Sequence, residues 1–489
     1  MHRKKKKYCG HNVATSTVVP LPLRERLGEG AFVRINKALL TILCMATLLF
    51  TTHAHASVTV ETTSLGHGVK AWYATNESVP VVDVILSFEG AGNASDAEGK
   101  AGRAAFAASL LTEGAGDLDS SAFRRALDER AIQMEVSTDN DRLKIHIYCL
   151  REHAVRAGEL LAFALSKPQL TDADQARMKA DMGSLIARLE ERPNYRADRL
   201  LTSRMFQGHP YANAPYGTKE SLAALSAQDV RDFLGTYITR GNVLITAAGD
   251  VDASLLDDML SPVVDALADN DSGAVAVTPT SMQGAGETLR ASMNVPQTVI
   301  LFASPAYARE DARFYASYLL NHILGGSALF SRLGEEIRQQ KGLVYSVDTD
   351  LDVKRGASLL TGALATRNAS VDVALTEVKN VLAAMHSNGV TTEECADAQS
   401  YVRGAFARRL DSSSAVSEML LAMRIHKLGV DYIEKRDGLF KNVACSDINA
   451  AASDLLDPAR FVFAVVGGAP DSGGSGPIPQ APTGHNDVK

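Results

Sequence analysis

Two stretches of this chain repeat the same order of apolar and polar positions. In the first, the strand-like Val81-Val-Asp-Val-Ile-Leu-Ser-Phe88 leads to a helical stretch containing Phe106-Ala-Ala-Ser-Leu-Leu111. In the second, Val299-Ile-Leu-Phe-Ala303 leads to Tyr315-Ala-Ser-Tyr-Leu-Leu320. Each stretch closes on a similar apolar run, Asn242-Val-Leu-Ile-Thr-Ala-Ala-Gly249 and Phe461-Val-Phe-Ala-Val-Val-Gly467. Alternation of period two in Gln133-Met-Glu-Val-Ser137 and Lys144-Ile-His-Ile-Tyr-Cys149, split by the turn-rich Thr138-Asp-Asn-Asp-Arg142, predicts a hairpin. Longer blocks with helical spacing cover 154–165, 172–191 and 226–237. Hairpins with segregated helices predict an α+β fold of two homologous domains made by tandem duplication, each an antiparallel sheet with helices packed on one face.

The ends read differently. Residues 38–50 form an apolar run too short to span a bilayer, preceded by Arg34 and Lys37 and followed by Ala54-His-Ala56. That is the pattern of a secretory signal peptide cleaved after Ala56, which implies a periplasmic protein with no membrane span after cleavage. The stretch upstream is long for such a leader, and a start near Val33 is the alternative. Cys44 lies inside the apolar run without the small residues that precede an acylated cysteine, and reads as leader sequence. The expected division is therefore a leader over 1–56, a first domain over 57–268, an exposed linker over 269–287, a second domain over 288–468 and a disordered tail over 469–489.

Removing residues 1–56 takes away nine Lys/Arg and two Asp/Glu, leaving 41 basic against 55 acidic residues and a net charge of −14. Nucleic acid and anionic membrane surfaces are poor partners for such a chain. Only Cys149, Cys395 and Cys445 follow the leader, too few for a disulfide framework, and sequence leaves a Cys395–Cys445 bridge open. Stability must come from cores, and each half is long enough to bury one.

Candidate chemistry is sparse. The chain contains no HExxH, HxxEH or CxxC, and no nucleophile elbow; Gly326-Ser327 reads as part of a glycine-rich loop. His146 and His153 lie on neighbouring elements and read as surface or capped histidines, and Glu113 as a solvated residue before Gly114. One segment is more informative. Ser331 to Gln340 has helical character, Gly342 suits a left-handed helix end, and Leu343-Val-Tyr-Ser-Val begins a strand, so Arg338 and Tyr345 can aim their tips at one point. Both are hydrogen-bond donors that keep their protonation state near neutral pH. Taken singly, an arginine near a helix C-terminus is ordinary dipole compensation and a tyrosine opening a strand is ordinary propensity.

Three stretches together resemble the insulinase/pitrilysin family of zinc peptidases, the inverzincins, in the branch of the mitochondrial processing peptidase. Ser331-Arg-Leu…Arg338…Tyr345 is similar to the family's SRL…R-x6-Y segment, and His209-Pro-Tyr…Gly217-Thr-Lys-Glu-Ser221 to its HPY…GT-x-E-S stretch. The third is the duplicated layout with Gly325-Gly326, and the likeness runs from about Val58 to Gly467. In active members a helix carries H-x-x-E-H, whose two imidazoles hold zinc while the glutamate serves as general base. The resemblance puts Ala105 and Ser109 at the histidine positions, Ala108 at the glutamate and the third ligand near Leu185, so no metal is expected in this chain. His209 reads as a structural loop residue. The resemblance implies a non-catalytic subunit that gives Arg338 and Tyr345 to the zinc site of a homologous HxxEH partner, acting on peptides or small unfolded proteins. A metal-free structural or peptide-holding scaffold, like the core proteins of respiratory complexes, is the alternative, and a stand-alone hydrolase with an unrecognised site the third.

Overall fold

In the computed structural model, which describes residues 58–269, 277–327 and 330–468, the alternating and apolar runs become strands of two sheets. The first contains β1 (Glu61–Ser64), β2 (Lys70–Thr75), β3 (Val81–Glu89), β4 (Gln133–Thr138), β5 (Arg142–Leu150) and β6 (Val243–Gly249), in the order β1-β2-β6-β3-β5-β4. The second contains β7 (Thr288–Ser292), β8 (Gln297–Pro305), β9 (Val344–Val353), β10 (Ser358–Arg367) and β11 (Val462–Gly467), in the order β7-β11-β8-β10-β9. The predicted hairpin is present, with Gln133 opposite Tyr148 and Thr138 opposite Leu143. Both sheets insert their closing strand at the same place, β6 between β2 and β3, β11 between β7 and β8. All neighbours are antiparallel except β2 with β6 and β7 with β11. Parallel pairing is possible there because a long intervening stretch, containing three other strands of the sheet and several helices, separates each pair in sequence.

Among the helices that pack on these sheets and on one another are α1 (Arg103–Leu110), α2 (Asp172–Glu190), α3 (Pro193–Met205), α4 (Phe314–Leu324), α5 (Thr392–Gly404) and α6 (Ser413–Ile425). Side chains alternate between the faces of a strand, and here the two faces meet different partners. Val82, Val84, Leu86 and Phe88 of β3 share a core with Ala104, Ala107 and Leu110 of α1 and Met178, Met182 and Ile186 of α2. Ile300, Phe302, Phe463 and Val465 do the same with Leu319, Leu320 and Ile323 of α4. The helices of each half thus cover one face of its own sheet, as expected.

The opposite faces are covered by exchange. Ala197, Leu201 and Met205 of α3, with the following Phe206, pack on Val299, Ala303, Val462, Ala464 and Val466 of the second sheet. Val416, Leu420 and Met423 of α6 pack on Ala74 and Ala248 of the first. Each large apolar side chain buried in this way contributes about 1.5–3 kcal/mol. Polar contacts fix the register of α6: Ser414 and Ser417 donate to the fully buried Asp83 of β3, and Lys144 of β5 pairs with Glu418 at 2.7 Å. Asp83 also holds Nε2 of His146 at 2.7 Å. Burial presses the imidazole pKa down, but the Asp83 carboxylate more than offsets this and the net shift is upward.

A second joint links the turns of the two hairpins. The Tyr211 hydroxyl donates to Asp141 Oδ1 at 2.6 Å and accepts from the Gly356 amide at 2.9 Å, while Asp141 Oδ2 accepts from the Arg355 amide at 2.9 Å. His209 supports this turn. Its Nδ1 accepts from the Tyr211 amide and its Nε2 lies 3.0 Å from the Thr278 carbonyl. The expected exposed linker is tied down where it is described. Amides of Thr280, Gln283 and Gly286 bond to the carbonyls of Gly356, Met205 and Phe461, and Val277 and Met282 pack beside α3.

Cys395 and Cys445 form a disulfide, the possibility that sequence left open, and Cys149 is a buried free thiol whose pKa burial pushes up to about 12. No helix among the described residues is long and apolar enough to cross a membrane. The leader over 1–56, its cleavage after Ala56 and the tail over 469–489 lie outside the described residues.

Candidate functional site

α1 begins at Gly102, whose φ of +86° is a conformation that side chains disfavour, and where a Cβ would fall 2.6 Å from the Tyr216 carbonyl oxygen. Asp96 caps the start of the helix, accepting from the amides of Gly102 at 2.7 Å and Ala104 at 2.9 Å. Burial of this carboxyl outweighs the stabilising amides and pushes its pKa up to about 6.

The positions where metal chemistry is expected are filled. Ala105 and Ala108 are 7% and 3% exposed, and α1 packs against α2, β4 and the helix Ala227–Tyr237. The Ser109 hydroxyl turns back to the carbonyls of Ala105 and Phe106, both at 3.0 Å, and lies 3.7 Å from the Met182 sulfur. The side chain facing Ser109 is therefore Met182. Leu185 is half-exposed, because the buried face of α2 runs through Met178, Met182 and Ile186. Counting residues along the chain does not specify the rotation of α2 about its axis. The family's zinc does not fit these residues: two methyl groups and a self-bonded hydroxyl stand where the resemblance puts two imidazoles and a carboxylate, and the side chain facing them is a thioether. Among the described residues no group of three or more His, Cys, Asp or Glu is placed to hold a metal ion.

Glu113, read from sequence as solvated, is instead 3% exposed. It accepts from Ser120 at 2.9 Å and pairs with Arg124 and Arg177, and Arg177 also reaches Asp174 at 2.8 Å. Burial alone would raise its pKa; the hydrogen bonds from Arg177, Ser120 and Arg124 win, and the carboxyl is held below its ordinary range. Neither arginine lies close enough in sequence to announce the pairing.

The structure brings Arg338 and Tyr345 together. The Arg338 guanidinium stands 5.6 Å from the centroid of the Tyr345 ring, within the range of a cation–π contact, and Tyr345 is 42% exposed. The segment of helical character over 331–340 is wound as a π-helix over Gly334–Gln340. Gly342 then takes a φ of +59°, the left-handed turn predicted for it, and Val344 starts β9. Leu333 and Ile337 are buried beneath this segment. Two ion pairs not expected from sequence flank it: Arg332 with Glu394, and Lys341 with Glu377. His146 and His153 have carboxylate neighbours, Asp83 and Glu152 respectively, and do not converge on a common site with α1.

The family described as "Peptidase M16 inactive domain" matches residues 224–402, a span that includes Arg338 and Tyr345. The "Non-peptidase homolog YmxG" of Helicobacter pylori is 27% identical over 347 residues, covering 70% of this chain and 79% of that protein. A peptidase M16 inactive domain from Pseudomonas fluorescens superposes with a TM-score of 0.77 at 24% identity, covering 84% of this chain and 98% of that one. The periplasmic protease PqqL of Escherichia coli superposes at 0.68 and 16% identity over 84% of this chain and 45% of that one. With the duplicated sheets and the SRL…R-x6-Y segment, these matches give the chain the fold of M16 peptidases and a sequence likeness to the inactive, non-peptidase members of the insulinase/pitrilysin family, in keeping with a metal helix that carries no ligand.

Proposed function

We propose that this chain is the non-catalytic, substrate-binding subunit of a heterodimeric periplasmic zinc peptidase, and that Arg338 and Tyr345 complete the active site of a homologous HxxEH partner. One observation carries the reading: the chain holds a guanidinium over a half-exposed phenol at 5.6 Å while the metal positions of its own helix are alanine and serine, closed off by Met182 of α2. Both groups donate hydrogen bonds without changing charge state, which suits an oxygen that gains negative charge as a peptide carbonyl is attacked. The zinc and the water it activates belong to the partner. Substrates are peptides or small unfolded proteins, held by strand addition to a sheet edge in the partner. The net charge of −14 favours basic segments among them.

A metal-free scaffold or peptide-holding role is the second reading, supported by the close packing around Ala105, Ala108 and Ser109. Co-expression with an HxxEH homologue of the same genome, followed by size exclusion and cleavage of a quenched peptide, separates the two. A 1:1 complex with zinc-dependent activity absent from either chain alone is expected. Activity of the partner that is unchanged by this chain, or no complex, overturns the subunit reading in favour of the scaffold.

A further inference from the structure

The segment that presents Arg338 is wound in an unusual way. A π-helix has poorer packing along its axis than an α-helix and persists where surrounding contacts hold it, often at functional sites. Gly334–Gln340 is held at both ends. At its start, Ser331 is buried and its hydroxyl accepts from the Gly334 amide at 3.2 Å. The guanidinium of Arg332 grips Glu394 through two parallel bonds, Nη2 to Oε2 at 2.8 Å and Nε to Oε1. At its far end Lys341 pairs with Glu377.

Glu394 is itself immobilised. It lies in the first turn of α5, where its carboxylate accepts from the Thr391 amide at 2.7 Å and its amide donates to Thr391 Oγ1 at 3.2 Å. The next residue, Cys395, is bonded to Cys445, so the start of α5 is cross-linked to the helix Cys445–Leu455. Asn449 of that helix accepts from the Val390 amide at 2.7 Å. A continuous set of contacts therefore runs from the disulfide through Glu394 and Arg332 to the turn carrying Arg338. Rewinding that turn to i→i+4 bonding would rotate every later side chain about the helix axis and carry Arg338 off the Tyr345 ring.

We propose that Arg332 and Glu394 are positioning residues that set the Arg338–Tyr345 pair, with the Cys395–Cys445 disulfide as the anchor of this brace. The inference rests on the function proposed above. A planar fork on a carboxylate specifies direction as well as distance, which a single ammonium contact does not.

The test measures turnover of a quenched basic peptide by the complex with the HxxEH partner. Arg332→Ala is made in the wild-type chain and in a chain carrying Arg338→Ala and Tyr345→Phe. In the wild-type background kcat should fall about tenfold, part of the roughly 10²–10³-fold that one preorganised donor carries, with KM within about twofold. In the double-variant background Arg332→Ala should have no further effect, because there is nothing left to position. Exchange of the charges, Arg332→Glu with Glu394→Arg, should recover part of the lost kcat. Arg332→Lys keeps the charge without the fork and should show an intermediate loss, and it replaces Arg332→Ala if that variant fails to fold. Cys395→Ser with Cys445→Ser should lower kcat in the wild-type background only.

An equal loss from Arg332→Ala in both backgrounds marks a general structural role and overturns the positioning proposal. So does an unchanged kcat where Arg338→Ala and Tyr345→Phe are themselves damaging. If those two substitutions leave turnover intact, the subunit reading fails first and the brace fails with it.

Discussion

Replacing Tyr211 with phenylalanine removes one oxygen atom from the joint between the hairpin turns, and its effect can be worked from the contacts there. The phenol is 3% exposed and its carboxylate partner Asp141 is 2% exposed. Loss of a hydrogen bond to a charged group costs about 1.5–3 kcal/mol, and the Gly356 amide left without its acceptor adds about 1–3 kcal/mol. A cavity of about 190 Å³ beside the joint, lined by Asn140, Asp141, His209 and Thr278, offers room for a water molecule to recover part of this. The expected net loss is about 3 kcal/mol. Urea unfolding of the chain without residues 1–56 measures it, followed by far-ultraviolet circular dichroism and by fluorescence of Trp72. That residue is the single tryptophan of the chain, and Arg424 of α6 stands 5.8 Å from its ring, so its emission reports the docking of the exchanged helix. A loss below about 0.5 kcal/mol, the range of ordinary surface substitutions, would refute the claim that this phenol joins the halves.

Other perturbations test the remaining assignments. Glu113→Gln should cost about 1–3 kcal/mol at neutral pH, toward the lower end because Arg124 and Arg177 stay partly in water. Because the carboxyl is held below its ordinary value of 4.5, its stabilisation is present above that value and is lost as pH falls through the folded pKa. The difference between wild type and variant should therefore shrink in acid, and a difference that grew there would contradict the pairing. Ala105→His, Ala108→Glu and Ser109→His together should fail to bind one zinc per chain, because Met182 supplies no ligand, and should destabilise the fold by about 1–3 kcal/mol through overpacking. Elemental analysis giving one zinc per chain would overturn this. Cys395→Ser with Cys445→Ser opens a loop of 50 residues, and the chain-entropy argument gives a loss of up to about 4 kcal/mol; a urea midpoint equal to wild type would show that the bridge adds nothing to stability.

Much of the fold was legible because its signals are local. Alternation marked β4 and β5, near-continuous apolar runs marked β3, β6, β8 and β11, and Gly342 after a helical run marked the turn before β9. The SRL…R-x6-Y spacing brought Arg338 and Tyr345 to notice, and the pair does meet. The packing around them was not legible. Sequence placed the third metal position near Leu185, whereas the rotation of α2 sets Met182 against Ser109. It left Glu113 in water, whereas Arg124 and Arg177, 11 and 64 residues away, close over it.

By itself, then, the sequence determined these strands, the duplicated order of elements, the empty chemistry of α1 and the candidate pair, since each is read from a pattern of side chains within a few residues of one another. Tertiary structure alone decided the exchange of α3 and α6, the Tyr211–Asp141 joint, the Cys395–Cys445 bridge and the grip of Arg332 on Glu394. Those contacts join residues separated by 50 to 354 positions, the longest between Arg424 of α6 and the Lys70 carbonyl of β2. No local periodicity encodes them, because which surfaces meet is settled only when each sheet buries its second apolar face.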